Sequence, residues 1–153
     1  MKPVRLGVLV VVLLASIGAA AVAAKPLLSA HGEFWTHMYI GPYRFDIQVA
    51  FNMQSRGGDT SADHGNLSMR YFDVDNGKLA AVVVSTRIYN IYASAQGGVE
   101  FSVDFGVPMG ADRLPGFRTF AFRVNDGDTE DEFWMTSPIW YPFVIDRGQI
   151  VIH

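Results

Sequence analysis

The stretch YRFDIQVAFNM, residues 43 to 53, constrains the fold more than any other part of the chain. It sends Tyr43, Phe45, Ile47, Val49, Phe51 and Met53 to one side of an extended backbone and Arg44, Asp46, Gln48, Ala50 and Asn52 to the other. Successive side chains of a β-strand alternate between faces, so the pattern is that of one half-buried strand. Each apolar residue gains about 1.5–3 kcal/mol on full burial, and six of them on one face leave no exposed placement for the stripe.

The same period of two returns in FWTHMYI at 34 to 40, LSMRYF at 67 to 72, TRIYNIY at 86 to 92, VEFSVDF at 99 to 105 and RTFAFRV at 118 to 124. It closes the chain in EFWM at 132 to 135 and QIVIH at 149 to 153. Almost nothing beyond residue 31 shows the i, i+3, i+4 recurrence of an amphipathic helix. Asp75-Asn76-Gly77 reads as a two-residue hairpin turn with positive φ at Asn and Gly, and Gln96-Gly97-Gly98 as a second turn. Residues 54 to 66 and 106 to 116, rich in Gly, Pro, Asp and Ser, read as exposed loops. The expected fold is therefore all-β, a single antiparallel domain of eight or nine strands. A small barrel and a sandwich both bury alternate residues, so the pattern leaves that choice open.

The N-terminus constrains where such a domain works. Lys2 and Arg5 precede an uncharged apolar run from Leu6 to Ala24 that ends in small residues, the layout of a secretory signal peptide over residues 1–24. An uncleaved membrane anchor is the rival reading of that run. Both place the domain, residues 25–153, outside the cytoplasm, secreted or periplasmic. Beyond residue 24, ten basic residues face fifteen acidic ones. That sign disfavours nucleic acid and anionic membrane as partners, leaving membrane contact to residues 1–24 if they are retained. The chain has no cysteine, which excludes a disulfide framework, a thiolate zinc site and a cysteine nucleophile. Exported chains without cysteine point to a prokaryotic source.

With the strands placed, the chain resembles the post-choice-of-anchor-protein (post-COAP) domain. The shared pattern runs through Phe45, Phe51, Gly65-Asn66-Leu67, Tyr71, Asp73 and Gly77, then Ser85-Thr86-Arg87-Ile88, Val99 and Phe101. It continues through Phe120, Val124, Asp126, Gly127, Asp131 and Phe133 to the closing Gly148-Gln149-Ile150-Val151-Ile152-His153, its most specific piece. The loop from Pro108 to Pro115 and the approach IWYPFVIDRG depart from it. The resemblance implies a secreted, mostly prokaryotic β module of unassigned function with no catalytic residue to carry over.

Two clusters invite chemistry. In VNDGDTEDEFWM, Asp126, Asp128 and Glu130 alternate like the first ligands of a helical-hand calcium loop, but that loop needs Gly and Glu where Asp131 and Ser137 stand. A looser calcium site would draw on Asp126, Asp128, Glu130 and Asp131; the alternative is a solvated hairpin turn. Nearer the C-terminus, Trp134, Trp140 and Tyr141 read either as core packing or as a stacking platform for a sugar or an apolar ligand, with Pro142 pushing its neighbours toward an edge or loop. His37 beside Trp35 and Tyr39 on one strand face reads as packing or a rim patch, and the four histidines form no tight ligand pair. Asp46, Glu100 and Asp104 sit on the polar side of their strands, and no Gly-x-Ser-x-Gly elbow is present.

These observations lead to a secreted, non-catalytic β module that binds or supports a partner outside the membrane, with no cofactor unless the acidic loop takes calcium. The alternative is a small-ligand-binding β-barrel with an aromatic mouth, marked by an internal cavity of several hundred Å³. A hydrolase built on two carboxylates is the third.

Overall fold

A computed structural model describes residues 28–56, 63–110 and 119–153; the segment read as a signal peptide lies outside them. They form nine strands and no helix: β1 (Leu28–Ile40), β2 (Tyr43–Ser55), β3 (His64–Asp73), β4 (Leu79–Ala93), β5 (Val99–Phe105), β6 (Thr119–Asn125), β7 (Glu132–Ser137), β8 (Tyr141–Phe143) and β9 (Ile145–Ile152). Each strand through β8 pairs antiparallel with the next, and β9 returns to pair with β1. The all-β reading holds, and the open choice is decided: one nine-stranded sheet, order β8-β7-β6-β5-β4-β3-β2-β1-β9, curls into a nearly closed barrel.

Two corners produce the curl. β4 pairs with β3 through Leu79–Val84 and with β5 through Ser85–Ala93. The register slips between Ser85 and Arg87 and again between Tyr89 and Tyr92, where Asn90 takes a φ of 53°. Bulges of this kind bend a strand and raise its twist, which turns β4 from one half of the barrel into the other. Inside the second bulge the Ile91 N–H donates to the Asp63 carboxylate at 2.8 Å. The other corner is Val144. Before it the chain pairs with β7, and after it with β1, so a single run of chain joins the two edges of the sheet.

Phenylalanine rings fill the interior. Of the β2 stripe, Phe45, Ile47, Val49, Phe51 and Met53 are buried, whereas Tyr43, at the strand's start, is exposed. Phe122 stacks on Phe133 at 5.0 Å, Phe34 of β1 meets Phe133 of β7 edge-on at 5.0 Å, and Phe51 stacks on Phe101 at 6.2 Å. Each such pair adds about 0.5–1.5 kcal/mol to the burial of the rings. A cavity of about 60 Å³ lies at one end, among Met38, Met69, Tyr71, Phe105, Phe122 and Met135. Burial pushes the Tyr71 hydroxyl above the ordinary tyrosine range, and its O–H donates to the Met69 sulfur at 3.8 Å.

One turn differs from expectation. Only Gly77 of the Asn-Gly pair has positive φ, and the connection runs from Val74 to Lys78. Asp73 organises it. Its carbonyl accepts the Gly77 N–H at 2.7 Å and its carboxylate accepts the Asp75 N–H at 2.9 Å, so a side chain supplies what the two-residue turn would have obtained from backbone geometry. The Gln96-Gly97-Gly98 turn forms as read, with both glycines at positive φ. The loop expected at 54 to 66 is shortened at each end, because β2 runs on to Ser55 and β3 starts at His64.

Candidate functional site

The two tryptophans of the C-terminal platform come together and the tyrosine does not. Trp134 and Trp140 lie 4.7 Å apart with planes tilted by 42°. Tyr141 takes the core side of β8, edge-on to Phe143 at 4.9 Å. The reason is the two-residue period: Phe143 is buried, so Tyr141 shares its face and Trp140 takes the opposite one. Trp140 is 65% exposed, next in sequence to the exposed Ile139 and at the opposite end of β8 from the Val144 corner. Pro142 sits on an edge strand, as its missing N–H favours.

The Trp134 ring also lies 5.2 Å under the Arg123 guanidinium, and Arg123 donates to the Gln96 side-chain carbonyl. Arg123 faces Glu100 across the β5–β6 ladder. Glu100 in turn accepts from the Ser94 hydroxyl at 2.6 Å and the Tyr92 hydroxyl at 2.5 Å. These bonds, with Arg123 nearby, hold the Glu100 carboxyl below its ordinary pKa. The bond to Glu100, reinforced by desolvation and the carboxylate's charge, raises that of Tyr92. Further along β5, Asp104 accepts from Tyr89 at 3.1 Å and Thr119 at 3.0 Å. Two carboxylates acting on a glycosidic bond stand about 5–9.5 Å apart. Glu100 and Asp104 are four residues apart on one strand, about 13 Å at 3.3 Å per residue, and each is tied to its own hydroxyl partners. Asp46 is on β2, 3.6 Å from Arg44.

The acidic stretch divides in the same physical way. Asp131 accepts the Ile150 N–H at 2.6 Å, and Asp126 accepts the Ile152 N–H at 3.3 Å. Both donors belong to β9, whose ladder partner is β1, so the two carboxylates satisfy edge amides and latch the β6–β7 turn across the barrel seam. Asp128 and Glu130 are exposed. Among the described residues, no three His, Asp or Glu side chains group as a metal site. A calcium ion bound there would share the Asp126 and Asp131 carboxylates with these amides, each of which occupies one oxygen.

A broad concavity lies elsewhere, on the outer face of β9, β1, β2 and β3. It is an open trough of about 700 Å³. Pairing dictates its contents. Across the sheet, Gln149, Glu33, Ala50 and Ser68 form one row, and His31, Asn52 and Asn66 another. Arg147, Trp35 and Gln48 form the third. Ala50 and Ser68 are small, so the middle row sinks between its neighbours, and a smaller hollow of about 160 Å³ extends it toward Arg70. Arg147 lies 4.7 Å over the Trp35 ring, which is backed by Phe72 at 5.4 Å. Gln48 donates to Glu33 at 3.1 Å. At the ends, His31 stacks on His153 at 5.5 Å and His37 meets Asp146 at 3.0 Å.

Reading the strands one at a time misses this site. Its residues alternate with core residues and look like any solvated face, and Arg147 reaches Trp35 only because β9 returns to β1. The visible signal was Trp35, a large ring on the polar side of its strand. No family model, no curated protein and no solved structure matches the chain.

Proposed function

We propose that the chain is a non-catalytic binding module of an exported protein and that it meets its ligand on the outside of the barrel, over β9, β1, β2 and β3. The observation that carries this reading is the contrast in space: about 60 Å³ inside against about 700 Å³ outside. Small-molecule pockets run from roughly 300 to 1,000 Å³, a range that the outer trough reaches and the cavity among Met38, Met69 and Met135 does not. The carrier reading, which needs several hundred Å³ within the barrel, does not have that support. Export is supported by the charged start and apolar run of residues 1–24. Among Asp46, Glu100 and Asp104, the acids the hydrolase reading drew on, no facing pair supports it.

An NMR fragment screen on the ¹⁵N-labelled chain tests the location without assuming a ligand. Amide shifts should cluster on β9, β1, β2 and β3. Hits that instead move the amides of Phe105, Phe122 and Met135 would put the site inside the barrel and end the proposal.

A further inference from the structure

We infer that the trough takes a neutral oligosaccharide, an assignment of ligand class that rests on the outer-face reading above. Four strands at about 4.8 Å spacing give it a width of roughly 14 Å, room for more than one sugar ring. Its surface combines hydrogen-bonding groups of both kinds with little net charge: Asn52, Asn66 and Gln149 carry a donor and an acceptor each, beside one carboxylate, Glu33, and the guanidinium of Arg147. No side-chain hydrogen bond joins Asn52, Asn66 or Gln149 to another described residue. Their capacity is therefore available to a ligand that both donates and accepts at many points, as a row of sugar hydroxyls does.

Other ligand classes fit less well. A peptide adding itself as a strand needs an unpaired edge. Here β1, β2 and β3 are paired on both sides, and the Ile150 and Ile152 amides of β9 are held by Asp131 and Asp126. Single-stranded nucleic acid needs a cationic groove and several stacking rings, whereas this face offers one indole and places Glu33 at its centre. An apolar ligand would strip water from amides it could not satisfy, at a cost of about 1–3 kcal/mol for each buried group.

Trp35 acts as a positioning residue. It supports the Arg147 fork from beneath at 4.7 Å, and a fork held in one orientation loses less freedom when it donates to adjacent hydroxyls.

The test is titration of the ¹⁵N-labelled chain with hexasaccharides of β-1,4-glucose, β-1,4-xylose, α-1,4-glucose and N-acetylglucosamine. At least one should shift the trough amides, and raising the salt should leave its affinity unchanged, because a neutral ligand has no charge to screen. R147A is expected to weaken that binding about tenfold and N66A about threefold, the scale of losing one charged and one neutral hydrogen bond. Both side chains are exposed, so their melting temperatures should match the parent's and a loss of binding reads as a loss of contact. No shift with any hexasaccharide, or salt-sensitive binding, overturns the assignment. If fragments still gather in the trough, the outer-face reading survives that failure; if they do not, both fall.

Discussion

The two outer faces of the barrel are built alike and finished differently. Over β4 to β8 the polar side chains satisfy one another: Tyr92 and Ser94 on Glu100, Arg123 on Gln96, Tyr89 and Thr119 on Asp104. Over β9, β1, β2 and β3 the amides of Asn52, Asn66 and Gln149 are left to solvent around small Ala50 and Ser68. The difference teaches where stability and recognition are separable: the bonded ladder is part of the fold, and the trough is surface that the fold carries.

The largest expected effect comes from G148A. Gly148 has a φ of 108°, and a Cβ there would stand 2.3 Å from the Glu33 carbonyl oxygen and 2.5 Å from the Phe34 Cα. A loss of roughly 2–5 kcal/mol in denaturant unfolding is expected, from backbone strain and overpacking together. It should appear first as faster hydrogen exchange in β9 and β1; equal loss of protection over β5 and β6 would show that the two faces are not separable. Next, R123A on the ladder side should cost about 1–3 kcal/mol, because Arg123 is buried between Gln96 and Trp134. N66A on the trough side should stay within about 0.5 kcal/mol. Equal costs for these two would erase the contrast.

D131A removes the acceptor of the Ile150 amide and should cost about 1–2 kcal/mol. Millimolar calcium should leave the melting temperature of the parent unchanged; a rise that disappears in D126N would instead assign the acidic turn to metal.

The smallest effect is a pH dependence. The Glu100 pKa is lowered in the fold, so its contribution is present above the unfolded carboxylate value and fades as pH falls through the folded one. The Tyr92 pKa is raised, so its contribution is present below about 10, the ordinary tyrosine value, and fades as pH climbs beyond it. E100Q should flatten the acid side of the stability profile, and an unchanged slope would mean that the ladder bonds do not form in solution.

Much of the fold was legible because a two-residue period has one structural meaning. Phe45, Ile47, Val49, Phe51 and Met53 are buried as the stripe requires, and Phe133 and Met135 point inward beside an outward Trp134. The candidate site was legible only in part. Trp134 and Trp140 meet as read, but Tyr141 follows the alternation to the core side. The acidic stretch drew the eye as a cluster, and two of its members turned out to serve amides of a strand some twenty residues further on.

The alternation of apolar and polar residues by itself determined that this chain is all-β, which side of each strand faces the core, and that rings fill that core, because burial of alternate residues is a local property of an extended backbone. Only the tertiary structure decided that the sheet curls rather than splits, that β9 lies against β1, and hence that Arg147 covers Trp35 and Asn66 neighbours Asn52. Those facts depend on bulges in β4, a corner at Val144 and register between distant strands. Each is fixed by the closing of the whole barrel, and no single stretch of sequence carries enough energy to specify it.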